Sequence, residues 1–226
     1  MSSDAISKSR VSSEFSNAIQ NEIKRLSGTH CWVCQCMDPQ IAYVVGKKDC
    51  QNRSNMNEQV ALWESAGLIT FSLKSVSKEI PLCRSCHGNF DEDHDRGLII
   101  IPTDLDFLIE FELQDQQRRI AEVGSRRQVP SSTDYKNNGG LYRPIFLKEF
   151  HGPAFLHAAI DYPRVWHGPP VAMLRRAMIA LGSRRIAILD EATVSRLSTL
   201  RDLYFREKNN QRFQQVTPRP SMKSGF

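Results

Sequence analysis

Two C-x-x-C knuckles, Cys31-Trp-Val-Cys34 and Cys83-Arg-Ser-Cys86, lie far apart in this chain, the second beginning 49 residues after Cys34. Each knuckle holds two thiolates on one side of a tetrahedron, and two knuckles together close it around a structural zinc ion. Whatever fold the chain adopts must therefore bring residue 31 beside residue 86. Four thiolates leave the metal no open position and a local charge of about −2, so such a site pins a loop to a helix start and does not catalyse. The alternative is four buried thiols without metal. Cys36 and Cys50 fall outside the pairs; Cys36 is a spare ligand at most, and both read as ordinary thiols. His87 directly follows the last cysteine and is left for another role.

The 226 residues suffice for an ordinary core, 40% of them are hydrophobic, and no apolar run approaches bilayer length, so no membrane partner is expected. Residues 1–10 are polar and lack the apolar stretch of a secretory signal. The expectation is an intracellular protein, nuclear or cytoplasmic and not secreted, where cysteines favour metal over disulfides. Charge is uneven. Residues 1–125 hold 13 Lys/Arg against 18 Asp/Glu, and residues 126–226 hold 17 against 7. A basic half suggests an anionic partner, DNA or another nucleic acid first, although basic helix faces also serve only to keep a protein solvated. The pairs Arg118-Arg119, Arg126-Arg127, Arg175-Arg176 and Arg184-Arg185 are candidate phosphate contacts, those at 175–176 and 184–185 being carried forward.

Periodicity predicts an amphipathic helix over 11–26, with Phe15, Ile19, Ile23 and Leu26 inward and Gly28 as its stop. A strand is expected at 41–45, a loop over 47–57, a helical turn at 60–66 and a second strand at 68–73. A short helix should start near the second knuckle and reach Asn89, followed by a charged turn at 91–95 and a strand at 97–101. Thr103 reads as the N-cap of a helix to about Val123, with Leu105, Leu108, Phe111 and Ile120 inward. Residues 125–142 read as a linker or long loop. Helices are expected at 171–181 and after Asp190, the latter burying Val194, Leu197, Leu200 and Tyr204. Residues 209–226 lack periodicity and read as a disordered tail. The expected divisions are 1–27, 28–124, 125–142, 143–208 and 209–226, without internal repeats. Trp32 is expected to pack over the zinc loop, and His151, His157 and His167 fit no metal-ligand spacing.

Several of these segments together resemble the HNH nuclease family, in a fungal-type branch that adds a helical extension. They are Cys31-Trp-Val-Cys34, Ala42-Tyr43-Val44-Val45-Gly46-Lys47-Lys48-Asp49, Ile80-Pro81-Leu82-Cys83-Arg84-Ser85-Cys86-His87 and Phe90-Asp91. Ile101-Pro102-Thr103-Asp104-Leu105 and Phe111-Glu112 continue the likeness. The resemblance implies an α+β fold. Its centre is a zinc-stapled ββα-metal, treble-clef-like unit, with a helix before it and a mainly α-helical extension after it. It implies zinc on Cys31, Cys34, Cys83 and Cys86, a divalent Mg²⁺ or Mn²⁺ on His87, and metal-dependent cleavage of DNA.

The chemistry of such a unit needs a histidine base on the first strand, an asparagine that steadies it, and a histidine on the helix that holds the cation. His87 matches the last. Tyr43 stands at the base position, and a phenol that ionises near pH 10 is a poor base at neutrality. Lys78 stands at the asparagine position and has no acceptor to offer. Any substitute base would have to come from His30, His94, Glu79 or Asp93. The sequence thus supports an HNH nuclease-like protein whose cleavage is impaired or absent. The alternative is a non-catalytic, zinc-stapled module that binds nucleic acid or protein.

Overall fold

The computed structural model describes residues 17–45, 58–69, 79–91, 96–149, 160 and 162–214, with side chains omitted at 58–60 and from 206 onward. The fold is mixed α+β, with an N-terminal helix, two small antiparallel sheets and a helical C-terminal extension. Helix α1 (Asn17–Ser27) precedes the first knuckle and strand β1 (Gln40–Tyr43). Helix α2 (Glu58–Ser65) comes before strand β2 (Glu79–Leu82) and helix α3 (Arg84–Asp91). Then follow β3 (Leu98–Pro102), α4 (Leu105–Ala121), α5 (Ser132–Asn137), β4 (Tyr142–Phe146), α6 (Pro170–Ala180), a 3-10 turn (Arg184–Ile188) and α7 (Glu191–Gln214).

β1 and β2 pair antiparallel, Gln40 opposite Leu82 and Tyr43 opposite Glu79. All four residues of β2 are buried, because α1 packs against this strand and α3 returns across the hairpin. β3 pairs antiparallel with β4, Ile100 opposite Pro144. The five residues of β3 are all buried, as a near-continuous Leu-Ile-Ile-Ile run requires, with α6 and α3 packed against it. Pro144 has no N–H to give and is tolerated because, beyond β3, β4 is met only by an isolated bridge between Tyr142 and Arg164 among the described residues. α6 begins with Pro170 at its first position and is buried on nearly every face, including Arg175 and Arg176. It is the central post of the molecule.

Several stretches differ from their sequence reading for identifiable reasons. Of 68–73, Leu68 and Ile69 are not in a strand and the rest lies outside the described residues. The presumed linker holds α5, started by a reciprocal capping box between Ser131 and Asp134, and then β4. Tyr135 of α5 is buried within a ring series, Phe107–Tyr135 at 5.8 Å, Tyr135–Tyr142 at 5.3 Å and Tyr142–Trp166 at 5.4 Å. Gly140 is needed here, since a Cβ would sit 2.5 Å from the Tyr135 ring. The N-cap of α4 is Asp104, not Thr103, whose hydroxyl donates to the Leu141 carbonyl. α7 carries residues 209–214 in helix, so the tail reading can apply only beyond them. In α7, Leu197, Leu200 and Tyr204 are buried as expected and Val194 packs against the core.

In α4 the expected apolar face is rotated. Leu105 and Leu108 are buried, but Ile120 is 79% exposed while Glu112 and Asp115 are buried. Ion pairs explain the rotation. Glu112 accepts from Arg119 at 3.0 Å and lies 3.1 Å from Arg127, and Asp115 accepts from Arg118 and Arg119 at 2.5 and 2.8 Å. Arg127 also donates to the carbonyls of Ala66 and Tyr204, tying α2 and α7 to α4.

Burial pushes the Glu112 carboxyl up to about 7, against the opposing pull of Arg127 and Arg119. Between its ordinary value of 4.5 and about 7 the folded chain keeps a proton that the unfolded chain has lost. Stability therefore declines as pH rises through this window, by up to about 1.4 kcal/mol per pH unit from this group, and levels off above it. Urea midpoints taken across the window should lose this slope in Glu112→Gln.

Candidate metal centre

Cys31, Cys34, Cys83 and Cys86 converge, their sulfurs all within 4.8 Å of one another. The Cys34 and Cys83 sulfurs are 3.5 Å apart. A tetrahedron with Zn–S bonds of about 2.3 Å places its sulfurs about 3.8 Å apart, so the cage has the size that zinc requires. Cys31, Cys34 and Cys86 are fully buried. The first knuckle is closed by the Cys31 N–H donating to the Cys36 carbonyl and by Gln35 in the left-handed region, φ 62°. The second is the start of α3, where the His87 N–H donates to the Cys83 carbonyl. The Trp32 N–H donates to the Pro81 carbonyl and ties the first knuckle to β2.

Electrostatics within the cage favour a cation. Hydrogen bonding with Cys86 lowers the Cys31 thiol against the effect of burial, and the same contact with Cys31 raises Cys86. Burial also raises Cys34. One thiolate is accommodated and its neighbours are penalised, a conflict that a divalent ion removes by taking all four as thiolates. This buried four-cysteine cluster can chelate a metal such as Zn²⁺, which would supply a fixed structural link and no reaction step.

Two arginines from the helical half reach into this unit; Arg164 is not legible as a site residue in the sequence, and Arg176 is legible there only as a phosphate contact. The Arg164 guanidinium donates to the Trp32 and Val33 carbonyls, the latter at 2.6 Å. Burial lowers its pKa, while negative charge on Cys31 and Cys34 opposes that shift, so the cation sits where a tetrathiolate would leave net negative charge. Arg176 donates to the carbonyls of Val44 (2.5 Å), Phe90 (2.5 Å) and Tyr43 (2.7 Å) and lies over the Phe90 ring at 3.9 Å. It thereby holds the end of β1 and the end of α3 on one guanidinium. The one sequence signal for Arg176 is an arginine pair inside a helix that is apolar on every face.

His87 lies on α3 with its side chain 24% exposed. Nδ1 is 3.2 Å from Gln40 Oε1 and Nε2 is 2.8 Å from Asp91 Oδ2. Asp91 also meets Arg176 at 3.3 Å. Burial raises the Asp91 carboxyl, but His87 and Arg176 outweigh it and hold it below the usual value. Tyr43 ends β1. Side chains alternate along a strand, so Gln40 and Ala42 share one face while Ile41 and Tyr43 share the other, where Tyr43 stands opposite Glu79. His30 is within reach of the Thr29 hydroxyl (3.3 Å) and His167 of the Ser27 hydroxyl (2.9 Å). Lys78, His94, Asp93, Cys50, His151 and His157 lie outside the described residues. Trp32 is buried beside the first knuckle, as expected, and donates to the Val165 carbonyl.

The arginine pairs differ from the solvent-facing phosphate contacts read from the sequence. Arg175 and Arg176 are 3% and 5% exposed, and the Arg176 guanidinium is taken up by buried carbonyls rather than offered to a phosphate. Arg185 is half-buried and donates to the Leu147 carbonyl, leaving Arg184 exposed. Among the described residues no helix is long and apolar enough to cross a membrane. No protein-family model, curated protein or solved structure matches this chain.

Elemental analysis of the purified chain should find zinc at one ion per molecule, lost in Cys31→Ser or Cys86→Ser. Such sites contribute about 10–16 kcal/mol, as large as the whole stability of an ordinary domain, so a strong chelator should unfold the protein. A folded, metal-free protein would overturn the assignment. Arg176→Met leaves three buried carbonyls without their donor, and the denaturant midpoint should fall by the equivalent of about 3 kcal/mol or more.

Proposed function

We propose that this chain is a zinc-stapled binding module that engages nucleic acid or a protein partner without cleaving it. The observation that carries this reading is the environment of His87. Both its ring nitrogens already face partners, Gln40 and Asp91, and the residue at the expected base position is Tyr43, a phenol in place of an imidazole. A nuclease of the HNH type needs a base and a cation site converging on one phosphate. A phenol that ionises near pH 10 is a poor answer to the first demand at neutrality. The four cysteines and the arginine contacts hold the hairpin, α3 and α6 together as a rigid platform, which is the preparation that recognition needs.

A second reading retains the nuclease. It is favoured by the chain order of an antiparallel strand pair followed directly by a helix that bears His87 and Asp91, an imidazole and a carboxylate 2.8 Å apart and partly open to solvent. In that reading Mg²⁺ or Mn²⁺ would bind at His87, and the unit would be an HNH nuclease-like ββα-metal fold of the zinc-bearing kind. Lys78 would then stand where the family places its asparagine.

A plasmid-nicking assay with Mg²⁺ and Mn²⁺ separates the two. No cleavage is expected, and metal-dependent nicking that disappears in His87→Ala would refute the binding-only reading. The partner class is read from a salt titration. A complex made through Z phosphates weakens with a log–log slope of about −0.9Z on duplex DNA, whereas a protein complex held by an apolar centre changes far less.

A further inference from the structure

A cavity of about 360 Å³ opens on the helical half, between the β3–β4 pair and the first turns of α4 and α7. This lies near the lower end of the roughly 300–1,000 Å³ typical of small-ligand pockets. Apolar groups of Ile101, Pro102, Leu105 and Pro163 line it. Two arginines on different elements line it as well, Arg143 from β4 and Arg196 from α7.

The polar groups around the cavity are unevenly satisfied. The Asp190 carboxylate caps α7, accepting from the Thr193 N–H and hydroxyl at 2.8 Å each. The Asp106 carboxylate accepts from Arg196 Nε at 2.7 Å. The Thr103 hydroxyl, also on the lining, donates to the Leu141 carbonyl. The Arg143 side chain, by contrast, makes no hydrogen bond or close ion pair among the described residues; it acts on Asp190 only through its longer-range field, which lowers that carboxyl. Among the described residues Arg196 has only its Nε committed, to Asp106, and neither terminal nitrogen of its fork has a partner. The uncommitted donor capacity of this cavity is therefore guanidinium, and it stands beside the second oxygen of Asp106. A planar two-toothed acceptor matches that fork best.

Charge decides between the common planar or tetrahedral anions. Arg143 and Arg196 are balanced by Asp106 and Asp190, so the empty cavity is close to neutral. A monoanion leaves a small surplus that two guanidiniums can absorb; a phosphate dianion doubles it. We propose that the cavity binds a carboxylate carried on a compact apolar body, with the carboxylate between Arg143 and Arg196 and the apolar part on Ile101, Leu105 and the two prolines. The ligand is a free small organic acid or the carboxyl-terminal residue of a peptide, which present the same group. The site is separate from the cysteine cluster and stands whether or not the chain binds nucleic acid.

The test uses the full-length, zinc-loaded, ¹⁵N-labelled chain and records backbone amide shifts on titration with 4-methylpentanoate, with N-acetyl-alanyl-leucine, with the same dipeptide as its amide, and with inorganic phosphate. The two carboxylates should shift the amides of Thr103, Arg143 and Thr193, and the amide-capped dipeptide should not. The tighter of the two carboxylates identifies the source, free acid or chain end. Arg143→Gln, which breaks no hydrogen bond of the fold, should weaken binding about tenfold or more, and Arg143→Lys should recover part of it. Absence of shifts at millimolar ligand, equal binding of the amide, equal binding in Arg143→Gln, or phosphate binding more tightly than both carboxylates would each overturn the proposal.

Discussion

Four sulfur atoms from two distant knuckles have to meet, and almost everything in the N-terminal half follows from that meeting. The β1–β2 pair is only four residues long on each side, and two-stranded ribbons of that length are marginal in water. Here the hairpin is bracketed at its Gln40–Leu82 end by the cage, with the Trp32 N–H on Pro81. The second knuckle flows directly into α3, so the cysteine cage also sets the angle at which that helix leaves the sheet.

The helical half completes this arrangement from outside. Arg164 and Arg176 take backbone carbonyls of the first knuckle, of β1 and of α3, groups that a short sheet and a short helix leave unpaired. Guanidinium suits the task because one planar group can serve several acceptors at once. The cation near Cys31 and Cys34 also offsets charge that a tetrathiolate would otherwise bury alone. Basic residues that composition assigns to a partner are thus partly internal fittings, and the +5 net charge overstates what is offered to solvent.

What the sequence reveals and what it hides divide along the range of the interactions. The cage was legible because C-x-x-C spacing is local chemistry that needs no knowledge of the fold. α6 and α7 were legible from their boundary signals, Pro169-Pro170 and Gly182 around α6 and Asp190 before α7, together with the recurring apolar residues between them. β4 was not, since Tyr-Arg-Pro-Ile-Phe breaks alternation with a proline, and α5 was hidden by its polar, glycine-flanked composition, although its Ser131–Asp134 box is a readable start signal. The face of α4 was misjudged at Ile120 because buried carboxylates there depend on Arg127 beyond the helix. The role of Arg176 rests on carbonyls up to 133 residues away and has no local trace. Placement of His87 followed from its neighbour Cys86, but its bonding to Gln40 required the hairpin.

The reach of Arg164 also sets an order of events during synthesis. The carbonyls of Trp32 and Val33 leave the ribosome about 130 residues before the side chain that covers them. At about 5–20 residues per second the first knuckle is exposed for roughly 7–26 s before its cover exists. In that interval its thiols can exchange metal or meet an oxidant. A metal captured early by the cage and covered late from the helical half would be easy to load while the chain is nascent and hard to unload once it is finished.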